Sequence, residues 1–256
     1  MKVILTGATG MVGEGVLRQS LQDPTVDKVL VVTRRPCGVS HPKLEEIVHD
    51  EFMDFSPLAD RLAGYDACFF CLGVTSVGKT ERIYARLTHT LTMRFARMLA
   101  ELNPQMSFCY VSGYGTDSSE SGKTMWARVK GRVENDLAQL GFRSVYAFRP
   151  GFIKPMAGTR RTHRAYSVLG WLYPVLRLTA PGFACTLEDL GRSMIQAASQ
   201  GYESGVLENR DITLLASRGR AETPCPFRPQ RLSWAPTPKR PERAALSLFS
   251  LGRWEA

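Results

Sequence analysis

Three evenly spaced glycines follow the first apolar run of the chain and indicate a turn that could hold a phosphate group. Gly7, Gly10 and Gly13 come after the apolar residues 3–5, and a helical apolar pattern begins at Val12. Such a turn lets the backbone approach a diphosphate, which free N–H groups and the positive end of the helix then hold. The spacing differs from the G-x-G-x-x-G fingerprint, so a turn that binds nothing is the alternative. The residues predicted to bind are Gly7, Thr9, Gly10, Met11, Val12 and Gly13.

Two adjacent arginines end the second apolar run and bear on which dinucleotide the turn would hold. Arg34 and Arg35 follow the run at residues 28–33. In dinucleotide folds the residue about twenty positions past the last glycine meets the adenosine ribose, where an acid favours NAD and an arginine favours the 2′-phosphate of NADP. The pair therefore predicts NADP over NAD. The alternative is a basic strand end that is solvated.

Three later positions are candidates for contacts with the same cofactor. Asp54 follows a strand candidate at residues 46–49, where a carboxylate could accept a hydrogen bond from an adenine amino group or could cap a helix. Leu72 and Gly73 end the strand candidate at residues 66–73. A glycine there lets a cofactor pass close to the backbone.

The cysteines and histidines do not predict a metal or redox site. Cys68 and Cys71 form a C-x-x-C pair within a strand candidate. Positions three apart in a strand point to opposite faces, so burial in the core is the better interpretation of this pair. His89 has no His, Cys or carboxylate partner at chelating spacing, and we predict no bound metal.

Alternating strands and helices must position these residues. Apolar runs of strand length recur between amphipathic helical segments, which predicts an α/β fold with a doubly wound parallel sheet and a ligand at the carboxyl ends of its strands. The strand candidates are 3–5, 28–33, 46–49, 66–73, 107–112, 144–148 and 205–208, and the helix candidates include 81–102, 124–140 and one that starts at Thr186.

These motifs together resemble the atypical and extended short-chain dehydrogenase/reductase superfamily, in particular the NAD(P)-binding, epimerase-like proteins related to the Tat-interacting oxidoreductase-like proteins. The matching segments are Thr6-Gly-Ala-Thr-Gly-Met-Val-Gly13, Thr33-Arg-Arg35, Cys71-Leu-Gly73, Tyr110-Val-Ser-Gly113, Trp126-Ala-Arg-Val-Lys-Gly131 with Glu134, and Phe148-Arg-Pro-Gly151. The resemblance covers residues 1 to roughly 212 and implies a Rossmann NAD(P)-binding fold. It also implies cofactor contacts from Pro150, Gly151 and Phe152.

The resemblance implies a catalytic set with one departure from the family pattern. Ser112 takes the position of the substrate-carbonyl serine and Lys130 that of the ribose-binding lysine, whereas Trp126 occupies the position of the family's tyrosine. An indole does not titrate near neutral pH, so another group must supply the proton or the reaction differs. Tyr114 is the candidate substitute, ahead of Tyr84. An ordinary loop tyrosine is the alternative for Tyr114, and cofactor binding without chemistry is the alternative for Ser112 and Lys130.

Composition limits the cellular setting and the partners. The 256 residues are 44% hydrophobic, which suffices for one substantial core, and the chain has neither a membrane-spanning run nor a signal-peptide pattern. The six scattered cysteines fit a reducing compartment, and we expect a cytoplasmic protein. Much of the net charge of +9 lies near the C-terminus, so the charge does not predict nucleic-acid binding. A homodimer is compatible with these features.

The chain divides into one domain and a tail. We predict a folded domain over residues 1–214 and a disordered tail rich in proline and arginine over residues 215–256. Residues 152–185 should lie over the nicotinamide end and shape the substrate pocket. We expect a lid or an oligomer-contact helix there in preference to a membrane-interface helix, because Gly170 and Pro174 interrupt its apolar face.

The sequence thus predicts an NADP-binding oxidoreductase or epimerase that acts on a small carbonyl or alcohol substrate. The alternative is a non-catalytic NADP(H)-binding sensor or scaffold, which Trp126 keeps open.

Overall fold

Strands and helices alternate along the chain, as the hydrophobic pattern predicts. The computed structural model describes residues 1–156, 182–222 and 233–234. Its strands are β1 (Lys2–Thr6), β2 (Lys28–Thr33), β3 (Val39–Ser40), β4 (Leu44–Val48), β5 (Ala67–Phe70), β6 (Ser107–Val111), β7 (Ser144–Arg149), β8 (Phe152–Lys154), β9 (Ala184–Thr186), β10 (Val206–Glu208) and β11 (Ser233–Trp234). Its α-helices are α1 (Met11–Gln22), α2 (Ala59–Leu62), α3 (Glu81–Ala85), α4 (Leu91–Leu102), α5 (Met125–Ala138), α6 (Leu187–Gln200) and α7 (Asn209–Glu222).

Seven of the strands form one parallel sheet in the order β10-β7-β6-β5-β1-β2-β4. Val3, Ile4 and Leu5 of β1 are fully buried because helices cover both faces of the sheet, which explains the uninterrupted apolar run. The strand order reverses at β1, with β2 on one side and β5 on the other. A crevice opens at such a reversal. The predicted doubly wound α/β sheet is confirmed.

Each face of the sheet carries its own apolar core. One core joins β1 to α1, α6 and α7, and the other joins the sheet to α2, α4 and α5. Cys68 belongs to the second core, whereas Cys71 packs against the first. The two thiols therefore point to opposite faces as predicted, and burial raises the pKa of both.

Several predicted boundaries change in the structure. The helix predicted over residues 81–102 contains a π-helical turn at Arg86–Thr90 between α3 and α4. The domain boundary predicted at residue 214 falls inside α7, where Leu215 and Ala216 are buried. It is therefore corrected, because the apolar face of this helix continues into the core. Within the described ranges, no helix is long and apolar enough to cross a membrane.

Parts of the predicted lid and tail lie outside the described residues. The described ends of the lid segment are β8 and β9, which pair in parallel with Phe152 opposite Ala184. Residues 157–181 of the predicted lid are not described, and neither are residues 223–232 and 235–256 of the predicted tail. Within the segment predicted to be disordered, β11 forms an antiparallel pair with β3.

Candidate dinucleotide site

The glycine turn between β1 and α1 is built without room for side chains. Gly7 has a φ of +75°, and a Cβ at this position would lie 2.6 Å from the carbonyl carbon of Cys71. A Cβ at Gly13 would lie 2.1 Å from the Gly7 carbonyl oxygen. These contacts bring the start of α1 against the ends of β1 and β5.

The start of α1 has the properties of an anion site. The helix begins at Met11, and its N-cap residue is Gly10. Glycine has no side chain that could accept a hydrogen bond from the first N–H groups of the helix. The first N–H groups of a helix, here those of Met11, Val12 and Gly13, have no acceptor within the helix. They point out of the N-terminus together with the positive end of the helix dipole. The glycine cradle and the uncapped helix start thus fit a diphosphate.

An open crevice of about 470 Å³, which we call the nucleotide crevice, runs from this turn toward β2 and β4. It is lined by residues from the ends of four strands and the loops that follow them: Gly7, Thr9, Val32, Thr33, Arg34, Arg35, Asp50, Phe52 and Leu72. The structure therefore brings the glycine turn together with both arginines and with Leu72. Gly73 follows Leu72 directly and is exposed.

Arg34 and Arg35 are exposed at the crevice, and Arg34 is already oriented. Its guanidinium lies over the ring of Phe52, 5.9 Å from the ring centroid. The Thr33 hydroxyl donates a hydrogen bond of 2.9 Å to the Arg35 carbonyl and holds the turn after β2. A guanidinium is a bidentate partner for phosphate, and this wall of the crevice presents the guanidinium groups of Arg34 and Arg35.

Asp54 does not belong to this wall. Its carboxylate accepts hydrogen bonds from the Ser56 amide and hydroxyl at 2.9 and 2.7 Å, and these bonds lower its pKa. Asp50 and Phe52 line the crevice instead. The preceding strand ends at Val48, and the first residues after a strand end face the crevice, whereas the adenine contact of Asp54 stays a prediction.

Ser112 and Lys130 lie outside the lining of the nucleotide crevice, at the carboxyl end of β6, the strand next to β5. The Lys130 ammonium donates hydrogen bonds to the Ser112 carbonyl and, at 3.5 Å, to the Val111 carbonyl. Burial lowers the pKa of Lys130 to about 8, while the charge of Glu134 opposes that shift. The Ser112 hydroxyl is buried and donates to the Phe148 carbonyl at 3.1 Å. Its proton is therefore engaged with β7, and its lone pairs remain as acceptors.

An ion-pair network anchors the helix that carries Lys130. Glu134, one turn after Lys130, is buried and accepts two hydrogen bonds from Arg149 Nε at 3.1 and 3.2 Å. Arg149 also pairs with Glu208 at 3.2 Å. These bonds raise the pKa of Arg149 and tie α5 to the ends of β7 and β10. Because these ion pairs hold α5 in place, they position Lys130 indirectly.

Tyr114 and Trp126 lie near this end of β6. Tyr114 is 57% exposed and its ring meets the ring of Phe183 edge-on, with centroids 5.2 Å apart. A Cβ at Gly115 would lie 3.8 Å from the Trp126 ring. Tyr84 is 2% exposed, and burial raises its pKa, so its phenol is not available to a ligand at the crevice.

Three backbone groups join the predicted residues 150–152 to this end. The Pro150 carbonyl accepts a hydrogen bond of 2.9 Å from the Tyr114 amide, and the Phe152 amide donates one of 2.8 Å to the Phe183 carbonyl. The Gly151 amide donates to the Asn209 side chain at 3.3 Å. Residues 150–152 thus connect the backbone at Tyr114 to the backbone at Phe183 through hydrogen bonds.

Comparisons of the sequence with known proteins found relatives of similar length. No protein-family model matches the chain. The mitochondrial protein fmp52 of Aspergillus clavatus is 26% identical over 213 residues, which span 80% of this chain and 89% of that protein. The protein HTATIP2 of Rattus norvegicus is 29% identical over 154 residues, which span 59% of this chain and 62% of that protein.

A solved structure shares the fold. An oxidoreductase of the short-chain dehydrogenase/reductase family from Burkholderia thailandensis matches with a TM-score of 0.58 at 17% identity, covering 80% of this chain and 88% of that one. At this identity the match concerns the arrangement of strands and helices.

The relatives contradict the predicted cellular location. Fungal relatives named fmp52 are described as mitochondrial proteins, so the cytoplasmic prediction is wrong. That prediction rested on cysteine usage, and the described cysteines are indeed free. Free thiols indicate a reducing compartment and do not distinguish one such compartment from another.

Proposed function

We propose that this chain, by its fold and its sequence relatives a member of the atypical short-chain dehydrogenase/reductase superfamily, binds NADP(H). With this cofactor it would transfer hydride to or from a small carbonyl or alcohol substrate. The glycine turn, with its uncapped helix start, would hold the diphosphate. Arg34 and Arg35 would take the 2′-phosphate. By similarity to the fungal relatives, we also propose a mitochondrial location.

One observation carries the choice of NADP(H). Both arginines line the same crevice as Gly7 and Thr9, and Asp50 is the one carboxylate among the lining residues. An acid at the end of β2 would bind the ribose hydroxyls of NAD, but the residues there are Arg34 and Arg35. The crevice is therefore complementary to a nucleotide with an additional phosphate.

At the other end, Lys130, Ser112 and Tyr114 are the groups available for chemistry. When bound, the nicotinamide ring supplies or accepts a hydride. The Lys130 ammonium would donate hydrogen bonds to the cofactor ribose. Ser112 would orient the substrate oxygen if its hydroxyl turned from the Phe148 carbonyl, and the Tyr114 phenol would exchange the proton.

The cofactor assignment is tested by direct titration. In the double variant Arg34→Ala, Arg35→Ala, we expect NADPH affinity to fall by about 1 to 3 kcal/mol, roughly 5- to 150-fold, because charge-assisted bonds to phosphate are lost. NADH affinity should change far less. Isothermal titration of both nucleotides measures the two effects, with the exposed Arg97→Ala as the matched control. Equal weakening of NADPH and NADH would remove the 2′-phosphate role.

A sensor or scaffold without turnover remains the second candidate, and two observations favour it. Trp126 stands at the tyrosine position, and the Ser112 proton is bonded to the Phe148 carbonyl. Turnover of an aldehyde and ketone panel by the NADPH-loaded protein separates the two functions. NADPH binding without turnover would favour the sensor.

A further inference from the structure

We infer that Tyr114 and Phe183 form an aromatic corner that takes a planar, apolar group, so that an aryl carbonyl or the corresponding aryl alcohol is the substrate class of this site. This inference rests on the proposed function, because it names what the nicotinamide end of the crevice binds. It stands on the position of the two rings, on their exposure and on the backbone bonds that hold them.

The two rings lie where a substrate must be. Tyr114 follows β6 and Phe183 precedes β9, and both lie beyond the carboxyl ends of β6 and β7. A dinucleotide that spans the reversal at β1 has its adenine end toward β2 and its nicotinamide end toward β5 and β6. The Lys130 ammonium, bonded to the Ser112 carbonyl, marks the same end.

Two large aromatic side chains at this end are exposed to solvent. Tyr114 is 57% and Phe183 36% exposed, whereas the aromatic residues inside the sheet, such as Phe69 and Phe148, are fully buried. The two rings meet edge-on with their centroids 5.2 Å apart, and exposed aromatic rings are suited to pack against a further ring. Trp126 lies close to Gly115, the residue after Tyr114, because a Cβ at Gly115 would lie 3.8 Å from its ring.

The backbone fixes the corner in place. The Tyr114 amide donates to the Pro150 carbonyl, and the Phe152 amide donates to the Phe183 carbonyl, so both rings are tied to the same short segment after β7. A Cβ at Gly151 would lie 2.2 Å from the Phe183 carbonyl oxygen, which shows how closely the two segments approach. Gly115, with a φ of +80°, turns the chain directly after Tyr114. Rings held in this way lose little entropy when a ligand stacks on them.

A matched pair of ketones tests the corner. Acetophenone and cyclohexyl methyl ketone have similar size, but only the first has a planar ring. We expect titration calorimetry to give a smaller Kd for acetophenone with the wild-type protein. Phe183→Leu should reduce that preference roughly three- to tenfold through loss of ring stacking, whereas Phe183→Tyr should restore it. Leu214→Ala, a change at an exposed side chain on α7, is the control.

The titration also separates the inference from the proposed function. It is run with NADP⁺-saturated protein and with protein alone, after NADPH binding has been measured. If NADPH binds and the two ketones bind equally, or if Phe183→Leu keeps the preference, the aromatic corner is refuted while the cofactor assignment stands. If NADPH does not bind, the proposed function fails. The preference for acetophenone, measured with protein alone, then still tests whether the aromatic corner binds a planar ring.

Discussion

The Lys130 ammonium shows how a single buried residue can couple the site to pH. Its nitrogen lies beneath the ring of Tyr110, 6.0 Å from the ring centroid, and is bonded to main-chain carbonyls at the end of β6. Burial lowers its pKa from 10.5 in the unfolded chain to about 8 in the folded protein. The carbonyls and Glu134 stabilise the charge, but they do not replace all of the lost water.

This shift predicts the direction of a pH effect on stability. Between pH 8 and 10.5 the unfolded chain keeps a proton that the folded protein has released, so the stability of the folded state rises with pH in that window. The free energy of unfolding of the wild type, relative to Lys130→Met, should increase by about 1.4 kcal/mol for each pH unit inside the window. Urea unfolding of both proteins at several pH values measures it. A difference that stays constant across this window would contradict the burial effect.

At the scale of elements, the glycines of the turn between β1 and α1 have different tasks. Gly13 permits the contact between helix and strand, because its Cβ would lie 2.1 Å from the Gly7 carbonyl oxygen. Gly10 has more room, with the same oxygen 3.4 Å from its Cβ position and a φ of −95° that any residue adopts. The glycine at position 13 thus serves the fold, and we propose that the one at position 10 leaves room for the ligand.

The two positions should therefore separate stability from binding. Gly13→Ala forces α1 away from β1, and we expect a loss of several kcal/mol of stability, seen as a lower Tm in thermal unfolding. Gly10→Ala should keep the Tm within a few degrees but weaken NADPH, because its methyl group occupies space beside the helix start. Similar Tm values for both variants would show that the turn tolerates a wider separation of helix and strand.

For the whole molecule, the last helix decides where the folded domain ends. Leu215 and Ala216 of α7 are 3% and 0% exposed, and Leu215 belongs to the core that also holds α1 and α6. The pairing of β11 with β3 adds only two residue pairs. Within the described residues, the folded domain therefore extends at least to Ala216.

Two truncations test this division. Removal of residues 223–256 leaves α7 intact and should change the Tm by only a few degrees, because the composition of this segment predicts disorder. Removal of residues 215–256 deletes Leu215 from the core and should cost about 2 to 5 kcal/mol, as large-to-small core changes do. Differential scanning calorimetry of both proteins compares them. Equal Tm values would show that the core tolerates the loss of Leu215.

The sequence by itself determined the alternation of strands and helices, the glycine turn and the arginines at the end of β2. These are local patterns: apolar periodicity forms the elements, and a strand followed by glycines and a helix forms the turn. Tertiary structure decided that Asp50 and not Asp54 faces the crevice, that the Ser112 proton is bonded to Phe148, and that Tyr114 meets Phe183. Each of these depends on contacts between residues far apart in the chain or on the residue at which a strand ends. Periodicity along the sequence determines neither these long-range contacts nor the exact residue at which a strand ends.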